Sequence, residues 1–466
     1  MRVPRPTWQE VFFLLLCAGV LAWKLLLPGF IGLANNGDFG KVAGPLCIGD
    51  VDNGADNFVF FRSDYVRGPK YCYEPHVMSS QIGLAWLASS AAKITADPAR
   101  FDIRWLGALH ALIFLGFYFS GLLLLRPLNT IARVTLSLAA LWIFADTGLI
   151  AYFNSFYTDA AAILGGLIAV VLAVQLMTRV SLEGLAAFGL AALLFVMSKG
   201  QHGLLVLVPA AFVLVQGWRS FRTEACIIAA VTLAGATWVL VTTPDWYRGQ
   251  ARFNLIFYNL AMRSQTPAQD FRELGLNDSD LRYRGMHSFM PASPMNDPAW
   301  SHNFYARCTY GNVLKLYLHH PGKAFMKLWS DVCDEAWQRR PAYLSNYRRE
   351  YGKPAGAKDQ QLSSWSALRS WLLKWWPVHI LIWLAFAMFL TPRLARRERS
   401  RFRRSVAYTI PGIALLAVAE FCSVSLADAC ETDRHLLMFH VFTDLTMFLA
   451  MVYAAAPRTT DSVART

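Results

Sequence analysis

The sequence has few charged residues for its length. Only 16% of its 466 residues are Asp, Glu, Lys or Arg, whereas 55% are hydrophobic. A soluble enzyme of this size needs a more highly charged surface, and a disordered chain is less apolar. Runs of Leu, Ala, Val, Ile and Phe recur, and each is long enough to cross about 30 Å of hydrocarbon. The composition therefore predicts a polytopic membrane protein and excludes disordered chains, fibrous proteins and small disulfide scaffolds.

Signatures of nucleotide and zinc binding are also absent. The G-x-x-x-x-G-K-[ST] loop does not occur, and no G-x-G-x-x-G stands in a suitable context. None of the 8 cysteines forms a CxxC pair or stands at a metal-ligand spacing from His, so no structural zinc site is expected. The short loops on the predicted cytoplasmic side leave no room for a nucleotide-binding domain. Any reaction is therefore expected on the external side of the membrane, and it must be driven by a substrate that has already crossed.

Ten apolar segments are predicted to span the membrane, and basic residues between them set their orientation. The chain has 44 Lys and Arg against 31 Asp and Glu, a net charge of +13. In a soluble protein that excess would favour nucleic-acid binding, but here Arg is concentrated in every second loop, as the positive-inside rule requires. Both termini are therefore predicted to be cytoplasmic, in a bacterial inner membrane, and nucleic acid is not an expected partner. The segments are roughly residues 9–33, 104–125, 132–151, 160–177, 182–197, 203–216, 225–242, 378–391, 406–424 and 436–455. The orienting cations are Arg2, Arg5, Arg126, Arg133, Arg179, Arg219, Arg222, the run from Arg393 to Arg404, Arg458 and Arg465.

The loops predict three parts in an all-α integral membrane protein. Residues 1–242 form the first seven transmembrane helices, with a catalytic first external loop at 34–103. Residues 243–377 form a large, mainly helical extracytoplasmic domain, and residues 378–466 form the last three helices and a cytoplasmic tail. Two apolar, partly amphipathic stretches, Ser79–Ile94 and Trp365–Trp376, predict helices lying in the outer membrane interface.

Five cysteines fall in the predicted external loops. Cys47 with Cys72, and Cys308 with Cys333, would each close a local loop in an oxidising periplasm. Spacing alone equally allows unpaired thiols packed as small hydrophobic side chains, so both interpretations remain open.

Polar residues at the predicted outer edge follow the first helix and join the third to the fourth. Asn36 and Asp38 lie in the turn Ala34–Lys41, where partial desolvation is expected to raise the pKa of the Asp38 carboxyl and make it a base near neutrality. Turn chemistry alone also explains Asn36. The second group, Tyr152–Asp159, contains Asn154, Tyr157 and Asp159. Its alternative interpretation is an aromatic belt followed by an N-terminal cap at Asp159.

Cations at the same edge stand near two further helix ends. Lys199 and His202 lie between the fifth and sixth helices, where a lone Lys often only snorkels. Arg434 precedes the last helix and offers a planar fork suited to phosphate, although an ion pair with Glu431 three residues earlier is the simpler explanation. Deeper ionisable residues rank below these groups as site candidates: Glu420, His440 and Asp444.

Together these groups resemble the GT-C superfamily, polytopic glycosyltransferases that take sugars from polyprenyl-phosphate lipids. The likeness covers about half the chain in outline. It rests on Asn36–Phe39, the membrane-edge helix of the first loop, Asn154–Asp159, His320–Phe325, and Glu431 with Arg434 and His435. Many members carry adjacent paired acids in the first loop, whereas here Asp38 follows Asn35 and Asn36. That departure argues against a tightly bound metal and leaves open whether Mg²⁺ or Mn²⁺ takes part.

The resemblance implies a periplasmic active site that moves a sugar from a polyprenyl-phosphate donor to a hydroxyl of a glycan or glycolipid. Asp38 is the expected general base and Asp159 orients the acceptor or a cation. The donor phosphate is assigned to Lys199, His202 and Arg434, and the acceptor or sugar to Asn36, Asn154, Tyr157 and Glu431. One base with in-line displacement predicts inversion of the anomeric centre. The alternatives are a glycolipid transporter or flippase without chemistry, whose polar residues would line a path through the bilayer, and a non-catalytic assembly scaffold.

Overall fold

The computed structural model describes residues 5–50, 54–73, 77–95 and 97–458. Arg2 and Arg465, two of the residues on which the predicted orientation depends, lie outside these ranges. The described chain is an all-α membrane protein apart from one small sheet, as predicted.

The first half of the chain is a series of apolar helices joined by short connections, apart from the long first loop between Leu25 and Arg104. Thr7 begins the first of them with a capping box, in which its hydroxyl accepts from the Glu10 N–H and the Glu10 carboxylate accepts from the Thr7 N–H. The helices are α1 (Trp8–Leu25), α2 (Gly40–Ala43), α3 (Ser80–Thr95), α4 (Arg104–Leu124), α5 (Thr130–Phe144), α6 (Thr147–Ile150), α7 (Asp159–Thr178), α8 (Leu182–Val196), α9 (Gly200–Gly203), α10 (Leu207–Gly217) and α11 (Arg222–Thr242).

The second half contains shorter, more polar helices and then returns to apolar ones. The shorter helices are α12 (Asp245–Phe253), α13 (Ala261–Arg263), α14 (Pro267–Glu273), α15 (Pro298–Arg307), α16 (Tyr310–His319), α17 (Pro321–Asp334) and α18 (Ser364–Trp375). The final helices are α19 (Val378–Phe389), α20 (Thr391–Arg397), α21 (Arg401–Ala427), α22 (Thr432–His435) and α23 (Leu437–Ala455).

Within the described ranges, eight helices or continuous helix pairs are long and apolar enough to span a membrane. They are α1, α4, α7, α9 with α10, α11, α19 with α20, α21 and α23. Two of the ten predicted spans differ. The segment at 132–151 is broken by a 47° bend, because Asp146 ends α5 and caps α6 through the Gly148 N–H. The segment at 182–197 is the helix α8, with only 15 residues.

The first helix is shorter than predicted. It ends at Leu25 instead of continuing to residue 33, because Pro28 and Gly29 (φ +90°) follow. Residues 30–34 continue as buried, non-helical chain. Their backbone is paired with the 345–346 segment, for example through the Ala34 N–H to the Ser345 carbonyl at 2.9 Å. We call residues 30–34 the strap. The turn that carries Asp38 follows this buried, non-helical strap and does not follow the helix directly.

A three-stranded antiparallel sheet organises the first loop. The strands β1 (Ile48–Gly49), β2 (Asp64–Arg67) and β3 (Arg100–Asp102) lie in the order β1-β2-β3, with Tyr65 opposite Phe101. Of the two interpretations that spacing leaves open for Cys47 and Cys72, the structure has the disulfide, which ties the residue before β1 to the segment after β2. For Cys308 and Cys333 the other interpretation holds, since the two thiols are unpaired. Cys308 is packed inside the apolar cluster that runs from Phe253 to Tyr317, whereas Cys333 lies on α17, and both are free thiols.

Asp444, inside the membrane-spanning part of α23, joins the helix bundle to α18 and to the segment before it. Its carboxylate accepts from Arg339, from Arg369 Nε at 3.2 Å and from the Trp365 indole N–H at 2.9 Å, and all four side chains are largely buried. Two guanidinium groups thus depend on one buried carboxylate. This explains the deep acid by packing and charge pairing.

We predict that Asp444→Asn lowers the free energy of unfolding by about 3 kcal/mol, because it leaves Arg339 and Arg369 as buried charges without their counter-ion. Unfolding of the purified protein in mixed micelles by a denaturing detergent measures the change. Asp245→Asn is the matched control, since Asp245 is mostly exposed and its ion pair with Arg248 is worth under about 1 kcal/mol. Equal stability of the two variants would contradict this account of Asp444.

Candidate functional site

Three carboxylates and three cations from distant parts of the chain meet at one end of the helix bundle. We call them the ionic cluster, and the end of the bundle where they lie the site face. The cluster consists of Asp38, Asp159, Glu431, Lys41, Lys199 and Arg434.

Arg434 is the centre of this cluster. Its guanidinium donates to Asp38 Oδ2 at 2.9 Å and to Glu431 Oε2 at 2.8 Å, and its Nη1 lies 3.8 Å from Asp159 Oδ2. It also lies over the ring of Tyr157, 5.1 Å from the centroid, and its side chain is only 3% exposed. The simple ion pair with Glu431 is therefore present, but it is one of several contacts. A single planar fork holds acids from three segments in one place.

The turn that carries Asp38 is built by its asparagine neighbours. Asn35 Oδ1 accepts from the backbone N–H groups of Gly37 and Phe39, and Asn36 Oδ1 accepts from the N–H of Asp38 at 3.1 Å. Gly37 has a φ of +102°, in the left-handed region that favours glycine. The sequence Asn-Asn-Gly-Asp thus fixes the direction in which the Asp38 carboxylate leaves the backbone.

Two cations hold the Asp38 carboxylate. Lys41 Nζ donates to Oδ1 at 2.5 Å and Arg434 donates to Oδ2. Burial of the carboxyl opposes ionisation, but the charges of Lys41 and Arg434 outweigh it and hold the pKa of Asp38 well below its usual range. The expectation of a raised pKa is therefore wrong. It took account of desolvation at the membrane edge but not of the two cations.

Asp159 and Lys199 form a second pair on the opposite side of Arg434. Asp159 is the first residue of α7, and Lys199 Nζ donates to its Oδ1 at 2.6 Å. Thr158 occupies the N-cap position instead of Asp159, so the capping alternative is not observed. Nor does Lys199 snorkel away from the protein. Asp159 Oδ2 is buried and accepts no hydrogen bond from any described residue, which leaves one open acceptor inside the cluster.

Glu431 is the third carboxylate of the ionic cluster, and its backbone is in a left-handed conformation with φ +56°. Its Oε2 accepts from Asn36 Nδ2 at 2.8 Å as well as from Arg434. The Tyr157 hydroxyl donates to the Ala34 carbonyl and accepts from the Asn36 N–H at 3.0 Å. A bulky residue with positive φ is uncommon, and such strain is concentrated at functional sites.

The sequence profile of the YfdI N-terminal transmembrane domain family matches residues 5–465. The chain belongs to this family. The match covers nearly the whole chain, including every member of the ionic cluster. No curated protein matches the sequence.

Two predicted site residues of this YfdI family member lie apart from the ionic cluster. Asn154 Nδ2 donates to the carbonyls of Leu25 and Ile31, so its amide holds the buried strap that follows α1. His202 is fully buried, with Nδ1 against Ser198 Oγ at 2.6 Å and Nε2 against Glu420 Oε1 at 3.1 Å. The contacts of these two residues are structural, so neither side chain is open to an acceptor or a phosphate.

Sequence reasoning missed Lys41 and gave no role to His435. Lys41 stands three residues after Asp38, the spacing that puts two side chains on one face of a helical turn, and its Nζ also lies 4.3 Å from the ring centroid of Tyr247. His435 Nε2 lies 3.2 Å from Arg434 Nη2. Burial, together with the charges of Arg434 and Lys199, lowers the pKa of His435 well below its usual value, so the neutral ring accepts this bond.

The carboxylates of the ionic cluster, which are the ligands that Mg²⁺ and Mn²⁺ require, are each paired with a cation, although Asp159 Oδ2 accepts no hydrogen bond from the described residues. Each of the three carboxylates is bonded to Arg434, Lys41 or Lys199. No group of three or more His, Cys, Asp and Glu side chains in the described ranges is arranged to hold a metal ion. This donor set does not fit a resident divalent cation.

Asp428, just beyond α21, makes the free energy of unfolding of the protein depend on pH. Burial raises its pKa to about 6, although the backbone N–H groups of Ala429 and Cys430 donate to it. The folded protein therefore holds this proton more tightly than the unfolded chain, whose Asp pKa is about 3.9. The ionised carboxylate destabilises the fold at neutral pH, and the penalty disappears as the pH falls from about 6 to about 4.

Asp428→Asn is thus expected to raise the free energy of unfolding at neutral pH by about 1–3 kcal/mol, because two pKa units are worth at most about 3 kcal/mol. Near pH 4 the variant and the wild type should be equally stable. Thermal unfolding of both proteins at the two pH values measures the difference. A stability change of the same size at both would show that Asp428 acts through packing and not through its charge.

Proposed function

We propose that the protein is a glycosyltransferase of the GT-C type. In this proposal it moves a sugar from a polyprenyl-phosphate donor to a hydroxyl of a cell-envelope glycan or glycolipid, at the periplasmic face of a bacterial inner membrane. The observation that carries the proposal is the ionic cluster, in which a candidate base and three candidate phosphate ligands share one end of the helix bundle. Membership of the YfdI family, a membrane glycosyltransferase-like family, agrees with it.

Charge balance explains how the cluster would receive a lipid phosphate. Its three carboxylates and three cations cancel. An entering phosphate adds a negative charge in a poorly solvated place, so it must draw cations away from carboxylates. Lys41 has the most exposed side chain of the three cations, and it is the one most free to turn toward a phosphate.

Donor binding would then create the base. As Lys41 and Arg434 turn toward the phosphate, Asp38 loses the charges that hold its pKa down, and the carboxylate becomes able to take a proton. The acceptor hydroxyl gives its proton to Asp38 while its oxygen bonds to the anomeric carbon. The bond from that carbon to the phosphate oxygen breaks, and the electron pair leaves with the polyprenyl phosphate. Lys199 and Arg434 stabilise the negative charge of that leaving group.

The remaining cluster residues act as positioning residues in this proposal. Asp159 orients Lys199, and its open Oδ2 is one place where an acceptor hydroxyl can donate. Glu431 and Asn36 keep Arg434 and the Asp38 turn in register. One base acting in line with the leaving phosphate gives inversion at the anomeric carbon.

Lys41→Gln is expected to raise the KM for the lipid-linked donor about tenfold or more while changing kcat much less. The variant loses one charge-assisted contact to the phosphate, and such contacts are worth about 1.5–3 kcal/mol. Initial rates at varied donor concentration measure the split. Lys323→Gln is a control, because Lys323 pairs with Asp270 away from the cluster. A fall in kcat with unchanged KM would assign Lys41 to the chemical step instead.

Two of the three deeper ionisable residues, Glu420 and Asp444, favour an enzyme over a transporter. A flippase needs polar groups that continue through the bilayer. Glu420 is instead bonded to Gln201 and His202, and Asp444 to Arg339, Arg369 and Trp365. Each acid is paired within its own buried group.

The proposal is tested in cells that lack this protein. If it is a transferase, the polyprenyl-phosphate sugar should accumulate there on the side of the membrane where the acceptor lies, since transport is intact and consumption is lost. Wild-type protein restores the normal level. Accumulation on the cytoplasmic side alone would favour the flippase, and an unchanged level would reject both functions.

A further inference from the structure

Helix α17 has its polarity reversed for a helix that faces water. Its outward side chains are Phe325, Met326 and Trp329, of which Phe325 is 66% exposed. Its inward face carries Lys327 and Asp331, paired with each other and almost completely buried. A surface helix in water shows the opposite arrangement, with the apolar stripe turned toward the core. We call Phe325, Met326 and Trp329 the α17 stripe.

The position of α17 explains the reversal. The helix packs against α21, one of the membrane-spanning helices, near its outer end. Asp331 lies beside Ser425 in the last turn of α21, and Lys327 is close enough to Asp428 to lower its pKa. The charged face of α17 therefore packs against the polar end of the spanning helix α21. The α17 stripe points away from the protein beside the end of that helix.

The neighbouring helix shows the same pattern. In α18 the buried side chains include Arg369, whereas Trp371 and Trp375 are mostly exposed. This helix packs against α17 and leads through Pro377 into the spanning helix α19. Exposed Trp, Phe and Met side chains next to the ends of spanning helices are typical of the membrane interface. There a side chain has hydrocarbon on one side and water on the other.

We infer that α17 lies in the lipid headgroup region on the site face, with Phe325, Met326 and Trp329 inserted into the outermost part of the leaflet. The segment between α11 and α19 is then seated on the membrane beside the ionic cluster, and does not stand free in water. Lipid is the occupant that fits, because the stripe continues the surface of helices that are themselves in lipid. This inference does not depend on the proposed sugar transfer.

A spin-label measurement tests the inference on the full-length protein in lipid nanodiscs. A nitroxide is attached to a genetically encoded ketone amino acid at position 325, so the native cysteines are untouched. Its collision rates with oxygen, which concentrates in lipid, and with a water-soluble nickel chelate are then compared. Position 382 on α19 is the lipid reference, since Ile382 is exposed on a spanning helix. Position 272 is the water reference, since the Arg272 side chain is 67% exposed.

The expected result at position 325 is the pattern of position 382, with oxygen collisions above those of nickel. The pattern of position 272, with nickel above oxygen, would overturn the inference by placing α17 in water. Low collision rates with both reagents would also overturn it, because they would show that a second copy or another protein covers the stripe. Repeating the measurement at position 329, one helical turn away, guards against a local effect of the label.

Discussion

Asp38→Asn is expected to reduce the rate of sugar transfer by about 10²–10⁴-fold, the usual contribution of a positioned general base. The amide has the size of the carboxylate but does not accept the proton of an attacking hydroxyl. Because the proposed mechanism assigns the donor contacts to Lys41, Lys199 and Arg434, we expect the KM for the donor to change little. The loss should therefore appear in kcat, measured by initial rates of label transfer with the purified protein.

Two controls separate this effect from damage to the fold. Asp64→Asn changes another acid in the first loop, whose side chain is more than half exposed, and it should keep near-normal activity. Asp38→Asn should reach the membrane in normal amounts and stay folded at the assay temperature, although it should unfold at a lower temperature than the wild type because Lys41 and Arg434 lose a shared counter-ion. Near-normal turnover by Asp38→Asn would show that another group accepts the proton.

Arg434→Gln is expected to remove both stability and activity. The guanidinium is the shared partner of Asp38 and Glu431 and lies within 4 Å of Asp159. Its loss leaves Glu431 without a cation, and leaves Asp38 and Asp159 with only Lys41 and Lys199 as counter-charges. Breaking a buried ion pair in this way costs about 3–5 kcal/mol. Loss of a charged donor to the leaving phosphate is expected to lower kcat by a further factor of about 10²–10³.

Arg434→Lys is the informative companion of that variant. It keeps the charge but not the planar fork that reaches several acids at once. We expect it to recover most of the lost stability and only part of the activity. Unfolding in mixed micelles and transfer rates on the same preparations measure the two effects. Equal transfer by Arg434→Gln and the wild type would exclude Arg434 from the site.

The membrane core could be predicted because its signal is local. Apolar runs and Arg-rich loops identify spans from short stretches of sequence, and each of the ten predicted segments contains a helix. The errors lie where the signal is tertiary. Pro28 and Gly29 end α1 early. Residues 30–34 are nevertheless apolar and buried, as they would be in a longer helix, so hydropathy does not reveal that the helix has ended.

The candidate site shows the same limit. Asp38 and Arg434 are separated by 396 residues in sequence. The sequence therefore predicts that both lie at the same edge of the membrane, but not that they are in contact. The sign of the Asp38 pKa shift depends on that contact and on Lys41, so burial alone gave the wrong direction. Asn154 shares a motif with Tyr157 and Asp159, but only the fold shows that its amide holds the strap after α1.

The central claim is that the protein breaks the bond between a sugar and a lipid phosphate. The most direct measurement uses purified protein in vesicles with a polyprenyl-phosphate sugar labelled in the sugar, and acceptor extracted from cells that lack the protein. The account predicts that label leaves the lipid fraction for the acceptor while free polyprenyl phosphate appears in equal amount, and that Asp38→Asn abolishes both. Intact labelled lipid that only changes leaflet would contradict it.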